Sequence, residues 1–76
     1  MNSFLAITKN KNIYIHLDSI VESGKVIISN SFHEVVLEKE IIKSDYEVLY
    51  LNNEAGKYSI KIESESFKSR RYIIIK

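Results

Sequence analysis

Apolar residues at every second position, repeated from segment to segment, constrain this sequence most, because a period of two fits a strand with one buried face and does not fit a helix. The pattern is clearest in the last third. Gly56-Lys57-Tyr58-Ser59-Ile60-Lys61-Ile62-Glu63 puts Tyr58, Ile60 and Ile62 on one face and Lys57, Ser59, Lys61 and Glu63 on the other. Ser64-Glu65-Ser66 follows as a short polar connection, and Ser69-Arg70-Arg71-Tyr72-Ile73-Ile74-Ile75-Lys76 is a second strand running to the final residue. Together they read as an antiparallel hairpin. In its second strand Phe67, Arg71, Ile73 and Ile75 share one parity, and Lys68, Arg70, Tyr72 and Ile74 the other. Arg71 interrupts the apolar parity, so the buried part is expected from Tyr72 or Ile73 onward, after a bulge.

Upstream the same pattern recurs between polar breaks. Residues 12–17 set Ile13, Ile15 and Leu17 against Tyr14 and His16. Asp18-Ser19 and Glu22-Ser23-Gly24 read as turns around an apolar plug of Ile20 and Val21. Residues 25–29 form the next strand, with Val26 and Ile28 on one face, and Asn30-Ser31-Phe32-His33 is a hairpin-sized loop. Residues 34–42 place Val35, Leu37 and Ile41 on one side and Val36, Glu38 and Glu40 on a wet side. Lys43-Ser44-Asp45 reads as a turn, residues 46–51 as a strand with apolar side chains on both faces, and Asn52-Asn53-Glu54-Ala55-Gly56 as a turn. Residues 1–11 supply either a first strand, over residues 4–8, or a loose end.

The expectation is one all-β domain over residues 1–76, a small antiparallel β-sandwich of six to seven strands, Ig-like, with a closed small barrel as the rival. The chain has 76 residues and no Pro, Trp or Cys. At that length only roughly 60% of the unfolded surface is buried on folding, which leaves room for one modest core and not for a large enclosed active site. The apolar segments stay far below transmembrane length, and the first residues lack the basic start of a signal peptide.

Chemistry is sparse in this sequence. Without cysteine there is no disulfide, thiolate nucleophile or Cys-type zinc site. His16 and His33 have no companion ligand at a recognisable metal spacing, the serines belong to no nucleophile motif, and Gly24 and Gly56 stand alone rather than in a phosphate loop. The expectation is a non-enzymatic chain with no cofactor. The formal charge is +1, with an acidic middle (Glu34, Glu38, Glu40, Asp45, Glu47, Glu54) and a basic final strand (Lys68, Arg70, Arg71, Lys76). Lys57, Lys61, Lys68, Arg70 and Tyr72 outline a basic-aromatic patch that suits weak single-stranded nucleic-acid binding. The acidic neighbours and small net charge argue against that partner.

The C-terminal hairpin resembles that of the Bacteroidetes type IX secretion system C-terminal sorting domain and related small Ig-like sandwich modules. The likeness is carried by Gly56 and Tyr58 at the start of one strand, by Ile60 and Ile62 along it, and by Arg71, Ile73, Ile74, Ile75 and Lys76 at the end. Val26-Ile27-Ile28-Ser29-Asn30 and Val35-Val36-Leu37 are similar to an upstream hairpin of such domains, with Phe32-His33 standing where a glycine is usual. The resemblance implies a non-catalytic targeting or protein-interaction module, secreted, periplasmic or at the cell surface, recognised by secretion machinery through its last strand. Arg70, Arg71 and Lys76 are then the candidate recognition residues. Gly56, Tyr58, Ile60, Ile62, Ile73 and Ile75 are the folding determinants. A last strand at a sheet edge would also admit a homodimer by strand addition. The alternative is a stand-alone secreted structural sandwich with no dedicated site.

Overall fold

The computed structural model describes residues 3–52, 54–65 and 68–76. The readings of Asn53 and Ser66 as turn residues, and of Phe67 as sharing the parity of Ile73, lie outside the described residues. Five antiparallel strands are present: β1 (Phe4–Lys9), β2 (Asn12–Ser29), β3 (Val35–Tyr50), β4 (Gly56–Ser64) and β5 (Lys68–Ile75). They belong to one sheet of order β1-β2-β4-β5, with β3 along the other side of β2.

The Ig-like sandwich of six to seven strands in two sheets is therefore incorrect: the chain forms a single sheet curled into a half-barrel. The cause lies at three polar breaks that bend strands instead of ending them. β2 runs through Asp18-Ser19 and Glu22-Ser23-Gly24, and β3 runs through Lys43-Ser44-Asp45. Between the pairs His16↔Tyr46 and Val21↔Ser44, four residues of β2 stand opposite the single Asp45 of β3, a large bulge that turns the strand direction. The polar groups there are satisfied across the strands. Asp18 N–H donates to the Ser3 carbonyl at 3.1 Å and its carboxylate accepts from Ser3 N–H at 3.1 Å, so the turn chemistry ties β2 to the start of β1. Lys43 absorbs the corresponding bend in β3 with φ 47°.

Gly24 is the second device of the bend. It pairs with Ile41 of β3 on one side and Ser64 of β4 on the other. A Cβ built at this position would lie 2.4 Å from the Glu63 carbonyl oxygen and 2.9 Å from Ser64 Cβ, so only a residue without a side chain lets β4 approach here. A turn glycine and a close-approach glycine look alike in sequence. The β1–β2 hairpin closes through Asn10 and Lys11, at φ 51° and 68°, the two left-handed positions of a type I′ turn.

Curling brings one face of all five strands together. The core holds Phe4 from β1, Ile13, Ile15, Leu17, Val21, Val26 and Ile28 from β2, and Ile41 and Leu49 from β3, with Leu51 just beyond. Tyr58, Ile60 and Ile62 from β4 and Ile73 and Ile75 from β5 complete it. No polar or charged residue is buried among those described. Val35 is exposed, and Val36 and Leu37 are both half-buried, because the register of β2 and β3 shifts by one between Ile28 and Ser29. Of the expected apolar plug only Val21 is buried; Ile20 lies on the bulge and points to solvent.

The ends of the path meet as β5 packs beside β1. Thr8 Oγ1 donates to the Ile74 carbonyl at 3.4 Å, Arg71 Nε donates to the Phe4 carbonyl, and the Arg71 guanidinium lies 5.7 Å from the Phe4 ring centroid. β3 packs against β2 alone. Replacing Gly24 with Ala is expected to lower stability by about 1–3 kcal/mol, the usual cost of forcing extra volume into a packed site. Urea unfolding checks this; a change within about 0.5 kcal/mol, typical of an indifferent surface site, would show that β4 does not approach Gly24 this closely.

Candidate functional site

The candidate recognition residues of the last strand take three different positions. Arg71 is engaged with Phe4 and closes the seam between β5 and β1. Arg70 lies on the outer face opposite Lys61, and Lys76 is exposed beside the β1–β2 turn at the rim formed by Lys9, Asn10 and Lys11. Ile73 and Ile75 are in the core. The far side of β5 faces β1 through side-chain contacts with no ladder between the two strands, so β5 ends the sheet path but its edge is shielded by β1.

The outer surface differs sharply between the two ends of the curl. Outside β2, β4 and β5 at one end are Lys25, Lys57, Lys61, Glu63, Lys68 and Arg70, with Tyr72 and Ile74 exposed among them on β5. Lys61 Nζ lies 2.9 Å from Glu63, and Lys57 Nζ sits 4.9 Å from the Tyr72 ring centroid. The hydrogen bond from Lys61 and its charge hold the Glu63 carboxyl below its ordinary value, opposed by desolvation and assisted by Lys25 and Lys68. His33, at the tip of the β2–β3 hairpin, has φ 65°, the left-handed position in which a glycine would be at ease. The loop is held by Asn30, whose side-chain oxygen accepts from the N–H groups of Phe32 at 2.9 Å and Glu34 at 3.0 Å.

The other end is apolar. The register places Leu5, His16 and Tyr46 in one row across β1, β2 and β3, and Ile7, Tyr14 and Val48 in the next, with Tyr50 beyond. Leu5 and Tyr50 are each 60% exposed and Ile7 56%. His16 and Tyr46 rings pack at 4.7 Å between centroids. Sequence parity sets Tyr14 and His16 opposite Ile13, Ile15 and Leu17, and they do lie on the outer face. Only the alignment of three strands shows that they complete an apolar surface.

Beside this face runs the free edge of β3, and its backbone polarity can be assigned. Leu51 N–H donates to the Lys11 carbonyl at 2.9 Å, and the register is unbroken from Asn12↔Tyr50 to His16↔Tyr46. Hydrogen-bonded and non-bonded positions alternate in an antiparallel ladder, so Glu47 and Leu49 turn their backbone groups toward β2 while Tyr46, Val48 and Tyr50 turn theirs away. The contacts of Asp18 N–H with Ser3 and of Ser44 with Tyr46 agree. Ser44 Oγ donates to the Tyr46 carbonyl at 2.7 Å and accepts from Tyr46 N–H at 3.2 Å, which covers the outward groups of that residue. Among the described residues, no strand lies beside the outward groups of Val48 and Tyr50.

Charge guards only half of this edge. The first half of β3 carries Glu38, Lys39, Glu40 and Lys43, charges of the kind that discourage pairing. In the second half, Asp45 is exposed at the bulge and Glu47 is drawn to Lys39 at 3.0 Å, leaving Val48, Leu49 and Tyr50 without a charge among them.

Among the described residues, no group of three or more His, Asp or Glu side chains is placed to hold a metal ion, and no helix is long and apolar enough to cross a membrane. Comparison with protein-family models finds no match, and no curated protein matches the sequence. The site therefore rests on its own geometry.

Glu63 should titrate below an ordinary glutamate, and Lys61→Ala should raise its midpoint toward the ordinary value. Ionised Glu63 then supports the fold above the ordinary carboxylate range, and that support is lost as pH falls through its lowered pKa. A carbon-detected NMR titration of the Glu63 carboxyl measures both; an unchanged midpoint in Lys61→Ala would remove the assigned cause.

Proposed function

We propose that this chain is a non-catalytic protein-interaction module that takes an extended partner strand on the free edge of β3 at residues 46–50. The observation that carries this reading is the coincidence of two features on one segment. Val48 and Tyr50 present unpaired backbone groups at the sheet edge, and their side chains lie on the exposed apolar face. An added strand gains main-chain hydrogen bonds from the first feature and side-chain burial from the second, the two components of recognition by β-addition.

The sorting-signal form of the proposal assigns recognition to the last strand. Arg70, Tyr72, Ile74 and Lys76 are the side chains there that point outward, whereas Ile73, Ile75 and Arg71 are committed to the core and to the seam with β1. Deleting the last residues would remove core, so truncation does not separate recognition from folding. Position-specific crosslinking does. A photo-reactive phenylalanine analogue replacing Tyr50 should form protein adducts in the source cell, and the same analogue replacing Tyr72 should form few. Adducts from position 72 with none from position 50 would return recognition to the last strand. Absence of adducts from both would overturn the interaction reading.

A further inference from the structure

We propose that the strand completing the free edge of β3 is the β3 of a second copy of this chain, antiparallel to the first, with the two-fold axis between the two Leu49 residues. This rests on the strand-addition reading and names its partner. In this register Val48 stands opposite Tyr50 of the second copy and Tyr50 opposite its Val48. Those are the residues whose backbone groups point outward, so four main-chain hydrogen bonds form about the axis. Tyr46 stands outside these pairs and keeps its contacts with Ser44. A register centred on Val48 would have to break those contacts.

The side chains are self-complementary in the same register. Val48 beside Tyr50 is an aromatic and β-branched cross-strand pair, a combination that stabilises sheets. Leu49 meets Leu49 on the inner side at a non-bonded position, where side chains lie closest, and this joins the two cores. Glu47 stands opposite Leu51 with its carboxylate already on Lys39, so no like charges face each other. On the outside, the row of Ile7, Tyr14 and Val48 gains Tyr50 of the second copy and ends there, because Asn12 and Lys9 follow Tyr50 in its own sheet. The bend at Lys43 and the charges at Glu38, Lys39 and Glu40 confine pairing to the second half of β3. The contact is isologous and closes as a dimer, with no edge of the same kind left over.

Sedimentation equilibrium of the intact chain from about 1 μM to about 1 mM tests this, a span that covers weak to moderate association. A reversible monomer–dimer equilibrium is expected, with Val48→Pro monomeric throughout and its circular dichroism unchanged. The N–H lost in Val48→Pro faces away from β2, so the intrachain ladder is spared. Amide exchange on the unmodified chain gives a second readout that needs no variant: Val48 and Tyr50 should slow by about tenfold or more between the dilute and concentrated ends, while Glu47 and Leu49 stay slow at both. A chain that is monomeric at about 1 mM overturns the second copy as partner. A dimer that persists in folded Val48→Pro, or one that leaves the Val48 and Tyr50 amides fast, overturns this edge as the interface. If the chain is monomeric but position 50 still crosslinks to another protein, strand addition stands with a different partner; if neither is seen, both proposals fall.

Discussion

The bend in β2 is the constraint on which the rest of this structure depends, because one strand of 18 residues borders every other strand except β5. Its first half pairs with β1 and the end of β3, and its second half pairs with β4 and the start of β3. Without the bulge at residues 17–20 and the close approach at Gly24, β1 and β4 would follow each other along a flat edge. Such a sheet would expose its apolar face. Bent, it encloses Ile13, Ile15, Val26, Ile28, Ile60 and Ile62 against one another with no second sheet.

The asymmetry of the molecule follows from that bend. β5 is carried round to β1, where Arg71 and Thr8 bridge the seam by side-chain contacts, so each of these two edges lies against the other. β3 follows β2 on its outer side and acquires no neighbour of its own. The end of the curl built from β4 and β5 has an exterior in which Lys57, Lys61, Glu63, Lys68 and Arg70 surround Tyr72 and Ile74. The end built from β1, β2 and the last part of β3 has an apolar exterior next to an open edge, and the proposed strand addition rests on those two properties together. A charged free edge would be protected, and an apolar face with a covered edge would lack the main-chain component of recognition.

What was legible in the sequence was local. The alternation in residues 12–17, 25–29 and 57–63 identified the inward faces, since period-two patterning depends on each strand separately. The fold was not legible, because Asp18-Ser19, Gly24 and Lys43-Ser44-Asp45 have the composition of reversing turns and serve here as bulge, contact and bend. Turn-forming residues report a break in regular backbone. Here the chain continues: Asp18 N–H donates to the Ser3 carbonyl and its carboxylate accepts from Ser3 N–H, while Ser44 Oγ donates to the Tyr46 carbonyl. The candidate site was illegible for a related reason. Leu5, Ile7, Tyr14 and Val48 lie on three strands, and their adjacency depends on a register that no single segment contains. His33 is intermediate: its place in a hairpin-sized loop was legible from sequence, and its left-handed backbone was not.

The most direct test of the single curled sheet is the set of cross-strand backbone NOEs around Gly24. A continuous, bent β2 places Gly24 between two strands, so its backbone protons should show contacts to Ile41 on one side and to Ser64 on the other. Sequential turn contacts from Gly24 back to Glu22, with none to Ile41 or Ser64, would mean that the chain reverses there, and would contradict both the half-barrel and the free edge derived from it.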